Sequence, residues 1–122
     1  MNRPLGNLKS IKNTLKILDN KYKIEIIYVL GGRKMRFTEI KNTIGTITQQ
    51  LLSKLLKQLE KDDILKKKQF KTFPRKVEYT LTPLGKSLKP IMTSILRWEK
   101  NNARTLNKLL KRKKLETLFD YY

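Results

Sequence analysis

The sequence of 122 residues contains no cysteine and no histidine. Without cysteine there is no disulfide, thiolate metal site or thiol redox switch, and without histidine the commonest zinc ligand and general base is missing too. Acidic residues are also scarce, since 10 Asp and Glu stand against 29 Lys and Arg, for a formal net charge of +19. We therefore expect no metal, no cofactor and no enzymatic activity. The charge favours a polyanionic partner, with nucleic acid ahead of an anionic membrane surface.

Long apolar runs are absent as well. The most apolar run, residues 24–30, is interrupted by Glu25 and is far shorter than the roughly 20 residues that span a bilayer. No apolar stretch of the signal-peptide kind follows the first six residues, and no glycine-rich phosphate loop is present. We expect a cytoplasmic protein. Because no repeat or linker interrupts the chain, we also expect one domain over residues 1–122.

Apolar spacing predicts two helices at the start of the chain. The first is expected to end near Leu18, because apolar residues recur at helical intervals before it. The second follows Asp19-Asn20, which can cap it, and ends at Gly31-Gly32. Its apolar face is predicted to contain Tyr22, Ile26, Val29 and Leu30.

The caps, the apolar spacing and the glycine within residues 38–62 predict two short helices joined by a tight turn. This is the arrangement of a helix-turn-helix. Thr38 can cap the first helix, and Gly45 can form the turn. Thr48 can cap the second helix, whose inward stripe is predicted to be Leu52, Leu56 and Leu59. Leu55 is either an exposed leucine or part of a broader buried face.

The leucine stripe leaves polar and basic residues on the outer face of the second of these helices. In helix-turn-helix docking, the first residues of this helix reach base edges in the major groove. Glutamine can pair with adenine there, and lysine can donate to guanine. The predicted DNA contacts are Thr48, Gln49, Gln50, Ser53, Lys54 and Lys57, joined by Thr38 and Lys41 of the preceding helix as backbone contacts.

A β-hairpin is predicted after the second helix. Residues 64–70 alternate weakly between apolar and polar, and residues 77–81 alternate clearly, with a polar loop between them. This hairpin forms a wing, in which Lys71, Arg75 and Lys76 are candidates for phosphate or minor-groove contact. Strand alternation predicts that at least one residue among Lys66, Lys67 and Lys68 points back over the core.

The aromatic residues divide into two groups. Phe37 and Trp98 belong to apolar patterns and are expected to be structural. Phe73 lies at the predicted tip of the wing and remains open to either interpretation, as a structural residue or as one that stacks on bases.

A long helix is predicted after Thr82, because Thr82-Pro83 is a strong start signal. Its apolar seam consists of Leu84, Leu88, Ile91, Ile95 and Trp98, and Pro90 is expected to kink it or remove one backbone bond. Residues 99–122 form a predicted helical extension, in which the basic residues of 108–114 either are solvated or add contacts to DNA.

Several of these segments together resemble the HxlR-type winged helix-turn-helix regulators, over about residues 14–98. They are Thr14-Leu15, Lys21-Tyr22, residues 36–40, the helix of residues 48–60 and, above all, the block VEYTLTPLGKSL at residues 77–88. The resemblance implies a mainly α fold with a small β-hairpin wing and with N- and C-terminal dimerisation helices. It also implies a homodimer that regulates transcription, more often as a repressor. By position, the dimer interface would consist of Leu8, Ile11, Leu15, Leu88, Ile91, Ile95 and Trp98.

This sequence departs from the family pattern at four places. Lys9-Ser10 replaces a Cys-Pro pair, so the thiol sensing of some family members is not available. Asp19-Asn20 replaces Gly-Gly, and Tyr22 replaces Trp. Asp63 replaces a glycine and can adopt left-handed backbone angles only at some cost. Leu55 falls where the family often has a polar residue.

The sequence therefore predicts a homodimer that binds a pseudo-palindromic operator in double-stranded DNA. One alternative is an architectural protein that coats DNA with little sequence preference, because the charge exceeds what a specific dimer needs. A second alternative is RNA binding. It is disfavoured because the major groove of A-form RNA is too narrow to admit a helix.

Overall fold

The computed structural model of the protein describes the backbone of residues 4–120 and the side chains of residues 6–116. In chain order the elements are α1 (Pro4–Ile17), α2 (Lys21–Leu30), α3 (Phe37–Ile44), α4 (Gln49–Lys61), β1 (Leu65–Phe70), β2 (Lys76–Leu81), α5 (Pro83–Lys86), α6 (Lys89–Asn101) and α7 (Ala103–Asp120). The mainly α fold with one β-hairpin is confirmed. Backbone contacts divide the chain into two compact units, with the boundary after Lys89.

The core of the first unit is built from apolar faces of α2, α3, α4 and the base of the hairpin. On α2 the buried residues are Lys23, Ile26, Ile27 and Leu30, whereas Tyr22 and Val29 are only half-buried. The predicted face was therefore wrong by part of a turn. Lys23 fits this face because its ammonium lies 3.3 Å from the carboxylate of Asp19, one helical turn earlier.

The buried face of α4 is broader than the predicted stripe. Leu52, Leu56 and Leu59 are buried as expected, and Leu55 is buried with them at 2% exposure. These four leucines follow the spacing i, i+3, i+4, i+7, which places them on one side of a helix. All the polar and basic residues in the first half of α4 consequently lie outside this apolar face.

Side-chain caps fix the starts of α2 and α4. The side-chain oxygen of Asn20 accepts a hydrogen bond from the Tyr22 N–H at 2.8 Å, and the Thr48 hydroxyl accepts one from the Leu51 N–H at 3.1 Å. The predicted Thr48 cap is confirmed, and Asn20 is the capping residue of the predicted Asp19-Asn20 pair. The predicted cap of α3 was wrong, because α3 begins at Phe37 and its cap residue is Arg36 rather than Thr38. The Glu39 carboxylate reaches back to accept from the Arg36 N–H at 3.1 Å, which fixes this earlier start.

The two strands pair in antiparallel register, with Leu65 opposite Leu81 at the base and Phe70 opposite Lys76 near the tip. Leu65 and Leu81 are the buried residues of the strands, and Met35 forms a bridge to Tyr79. The prediction that one of the three strand lysines points over the core was wrong, because Lys66, Lys67 and Lys68 are all exposed. Residues 66–69 of β1 are exposed on both faces of the strand, whereas residues 77–80 of β2 are half-buried.

The predicted long helix is interrupted. The start signal is confirmed, since the Thr82 hydroxyl accepts from the Gly85 N–H at 3.1 Å, but α5 ends at Lys86 after a single turn. The chain turns at residues 87–88, and α6 begins at Lys89. Pro90 is thus the second residue of α6, where its missing N–H has no helical partner to lose, and it does not kink a helix. Leu84 and Leu88 precede α6 and are not part of its seam.

The second unit consists of α6 and α7. Asn102 separates them, and its side-chain amide donates to the Trp98 carbonyl at 2.8 Å. The basic residues of 108–114 lie within α7, which continues to Asp120. Among the described residues, no helix is both long enough and apolar enough to cross a membrane.

Candidate nucleic-acid interface

The turn between α3 and α4 fixes the position at which α4 begins. Gly45 has a φ of 82°, in the left-handed region that glycine tolerates, and its N–H donates to the Lys41 carbonyl at 2.8 Å. Ile47 is buried below the turn. The Tyr22 hydroxyl lies 3.2 Å from the Thr46 hydroxyl and ties the turn to α2. The hydrogen bond of Gly45 to α3 and the contact of Thr46 with Tyr22 of α2 therefore fix the turn from which α4 begins.

The outer face of α4 presents one continuous polar surface, which we call the α4 surface. Gln49, Gln50, Lys54 and Lys57 are exposed on it and Ser53 is half-buried. The same surface hollow is lined by Gln49, Gln50, Ser53, Lys54, Lys57 and Gln58. The structure therefore brings together five of the predicted contacts and adds Gln58. Gln58 lies four residues after Lys54, and residues four apart share one face of a helix, so the sequence spacing already indicated that Gln58 belongs to this surface.

The remaining candidates of the helix-turn-helix lie beside the α4 surface and do not line it. Thr48 is exposed at the N-terminus of α4, where its oxygen is the acceptor in the cap and its O–H is still a potential donor. Thr38 is exposed on α3, and Lys41 is half-buried there. Lys41 is the only basic residue of α3.

The tip of the hairpin gathers the predicted wing residues. A hollow at the tip is lined by Gln69, Phe70, Lys71, Thr72, Phe73 and Arg75. Lys76 is exposed at the first position of β2. The Lys68 ammonium lies 4.9 Å from the centre of the Phe70 ring, so this ring is covered by a cation. Glu78 is the only acidic residue within the hairpin.

Unpaired positive charge dominates both surfaces. Within the described part of the chain, the lysines and the arginine proposed as contacts form no ion pair. Burial raises the pKa of Tyr79 at the hairpin base, and the nearby carboxylate of Glu60 raises it further. No group of side chains that could hold a metal ion occurs among the described residues.

The residues expected at a dimer interface are exposed within each unit. Leu8, Ile11 and Leu15 line one side of α1 with exposures of 46%, 56% and 60%. Ile91, Ile95 and Trp98 do the same on α6 with exposures of 54%, 56% and 59%. Leu88 is half-buried in the turn before α6.

Comparison with known proteins identifies relatives along most of the chain. The HxlR-like helix-turn-helix family matches residues 17–107. The HTH-type transcriptional regulator BH0655 of Halalkalibacterium halodurans is 40% identical over 103 residues, which cover 80% of this chain and 91% of the relative. The HTH-type transcriptional regulator YdeP of Bacillus subtilis is 33% identical over 106 residues, covering 87% of this chain and 83% of YdeP.

Solved structures agree with these relatives. The redox regulator HypR in its reduced form has a TM-score of 0.76 at 32% identity, covering 81% of this chain and 98% of that chain. The reduced form of the transcriptional regulator YodB from B. subtilis has a TM-score of 0.68 at 31% identity, covering 81% and 92%. This sequence contains no cysteine through which a thiol could respond to oxidants. The chain belongs to the HxlR-like helix-turn-helix family, and it is a DNA-binding transcriptional regulator with a winged helix-turn-helix fold.

Proposed function

We propose that this regulator binds a specific sequence in double-stranded DNA as a homodimer, with α4 as its recognition helix. The observation that carries the proposal is the division of α4 into two faces. Four leucines anchor one face in the core, while glutamine, serine and lysine side chains share the opposite, open surface. A rigid helix that presents polar side chains in this way suits the major groove, which admits an α-helix.

Base reading is assigned to the first turns of α4. Gln49 and Gln50 occupy the first two helical positions, and Ser53 follows one turn later. Glutamine can bond adenine bidentately through both its amide atoms, and serine can bond several bases. Lys54 and Lys57 lie further along the same surface and suit guanine or phosphate.

Backbone binding is assigned to the wing and to α3. Lys71, Arg75 and Lys76 carry positive charge on an extended hairpin, and they have no carboxylate partner among the described residues. Thr38 and Lys41 would contact phosphates from α3. Each phosphate contact releases counterions, so the affinity is expected to fall steeply as salt rises.

Dimerisation is assigned to the apolar sides of α1 and α6. A pair of recognition helices would enter successive major grooves, so the operator would be a pseudo-palindrome with half-sites about one helical turn apart. In this proposal residues 1–122 act as one domain, with 99–122 as its helical extension. A cytoplasmic, DNA-associated repressor is the role that the family most readily suggests.

The net charge supports a second candidate, an architectural protein that coats DNA with little sequence preference. A formal charge of +19 exceeds what a dimer with a few phosphate contacts per protomer needs. The two candidates differ in what the α4 surface does. It distinguishes bases in the first and only adds affinity in the second.

Three substitutions separate the candidates. In a selection from a pool of random duplexes, we expect Gln50→Ala and Ser53→Ala to relax the selected sequence, whereas Lys71→Ala should weaken all duplexes alike. Lys86→Ala, an equal loss of charge on α5, is the matched control for Lys71. If all three interface substitutions reduce affinity equally on every duplex, the specific model is refuted and the architectural model is supported.

A further inference from the structure

Phe73 at the tip of the wing is the most exposed of the large apolar side chains that the structure describes. Its relative exposure is 101%, whereas the next most exposed large apolar residue, Tyr28, reaches 63%. Nearby Phe70 is half-buried and covered by the Lys68 ammonium. An aromatic ring in this setting gains from leaving water, and nothing within the described part of the hairpin covers it.

The loop at the tip places this ring in one hollow with two cationic residues. Phe70 pairs with Lys76 at the end of the strands, so residues 71–75 form the loop. The Thr72 hydroxyl donates to the Pro74 carbonyl at 3.2 Å across the loop. Lys71 and Arg75 lie two residues before and after Phe73 and line the same hollow. An apolar ring flanked by positive charge matches the chemistry of a duplex groove, in which stacked bases lie between two rows of phosphates.

We propose that Phe73 is an apolar wedge that enters the minor groove beside each half-site and partly unstacks one base step. The proposal rests on the function proposed above and extends it to the flanks of the operator. Lys71 and Arg75 would bind the phosphates on either side, while the ring enters between two base pairs. Apolar side chains inserted in this way kink DNA toward the major groove in several minor-groove binding proteins.

Such a wedge makes Phe73 a determinant of specificity without a hydrogen bond to any base. Pyrimidine–purine steps such as TA and CA unstack and kink most easily, so the energy of inserting the ring depends on the step that it meets. The operator should therefore carry a preferred TA or CA step at a fixed distance outside each half-site. The half-site itself would be read separately by the α4 surface.

The test is a selection from a pool of random duplexes by the full-length wild type, Phe73→Ala, Phe73→Leu and Gln50→Ala. The wild type should enrich a half-site and a flanking TA or CA step. Phe73→Ala should keep the half-site and lose the flanking preference, while Phe73→Leu, which retains an apolar wedge, should keep both. Gln50→Ala should alter the half-site and leave the flank unchanged. Because Phe73 is fully exposed, these substitutions leave the core intact.

A second readout reports the unstacking directly. With 2-aminopurine placed at the flanking step of the selected duplex, its fluorescence should rise on wild-type binding and stay low with Phe73→Ala. The affinity for that duplex should also fall roughly tenfold, as loss of an aromatic contact with a base usually causes. Equal flanks and equal fluorescence for wild type and Phe73→Ala would overturn the wedge.

The outcomes also separate this inference from the proposed function. A selected half-site without a preferred flanking step refutes the wedge and leaves specific binding by α4 intact. Absence of any selected sequence refutes specific binding, and the wedge with it. If Phe73→Ala instead abolishes self-association in sedimentation and leaves the DNA flanks unchanged, the ring is a protein contact and the wedge is refuted.

Discussion

Replacing Gly85 by alanine tests how tightly the base of the wing is built. A Cβ at Gly85 would lie 2.1 Å from the backbone oxygen of Ile64 and 3.2 Å from the Cβ of Leu81. The same Ile64 oxygen accepts from the Thr82 N–H at 3.0 Å, and the Gly85 N–H donates to the Thr82 hydroxyl. The turn of α5 therefore rests directly on the backbone that begins the hairpin.

The expected loss of stability in Gly85→Ala follows from these distances. The carbonyl oxygen would have to move by about 1 Å to reach an ordinary contact, and overpacking of a close-packed site costs about 1–3 kcal/mol. We expect the upper end of that range, because the obstacle is backbone and cannot rotate away. For a domain of this size, a loss of about 3 kcal/mol lowers the melting temperature by roughly 10–20 °C.

Thermal and urea unfolding followed by circular dichroism measure this loss. Gly6→Ala is the matched control, since it adds the same methyl group in α1 with nothing within 4 Å of the new Cβ. Alanine also favours a helix over glycine by about 0.5–1 kcal/mol, so this control should melt at the same temperature or higher. A Gly85→Ala protein as stable as the wild type would show that the contact of α5 with residue 64 is not close-packed.

Three further predictions concern the cap of α4, the proposed dimer and Tyr79. Thr48→Ala removes the α4 cap and should lower the free energy of unfolding in urea by about 1 kcal/mol, whereas Thr48→Ser should retain most of the cap's contribution. Equal stability of the Thr48→Ala and Thr48→Ser proteins would contradict the cap. Ile95→Asp should give monomers in sedimentation, whereas Asn101→Asp at the end of α6 should not; a dimer unchanged by Ile95→Asp would place the interface elsewhere. In an ultraviolet absorbance titration, Tyr79 should show a pKa above 10.0, because burial and the Glu60 charge both disfavour its ionised form. Tyr79 loses its proton at a lower pH in the unfolded chain than in the folded chain, so the free energy of unfolding should fall as the pH rises above 10.0. Glu60→Gln removes the nearby negative charge and should lower the pKa of Tyr79.

Local rules predicted the helix-turn-helix well, because its geometry is set by neighbours in sequence. Asn20 and Thr48 cap their helices as expected, and Asp63 adopts a φ of 58° where the family usually has glycine. Leucine spacing predicted the core face of α4 and hence the outward side of its polar residues. The exposure of Lys66 did not follow from alternation, because that rule assumes that a core lies behind the strand throughout its length.

The sequence was least informative where two signals overlap. Helical spacing continues across the turn at residues 87–88, through Leu84, Leu88 and Ile91. The apolar periodicity therefore predicted one long helix where the structure has the separate helices α5 and α6. Pro90 marked the start of α6, but within an assumed long helix it indicated a kink. Similarly, Thr38 has the chemistry of a cap, yet the carboxylate of Glu39 reaches the N–H of Arg36 and begins α3 earlier.

Binding of the purified protein to the DNA upstream of its own gene, compared with a scrambled duplex, tests sequence-specific binding most directly. Fluorescence anisotropy over a salt series gives both affinities, and both should fall steeply as salt rises because counterions are released. We predict that the native duplex binds more tightly by roughly a thousandfold or more at physiological salt. Two superimposed curves would contradict the account and favour a protein that coats DNA without regard to sequence.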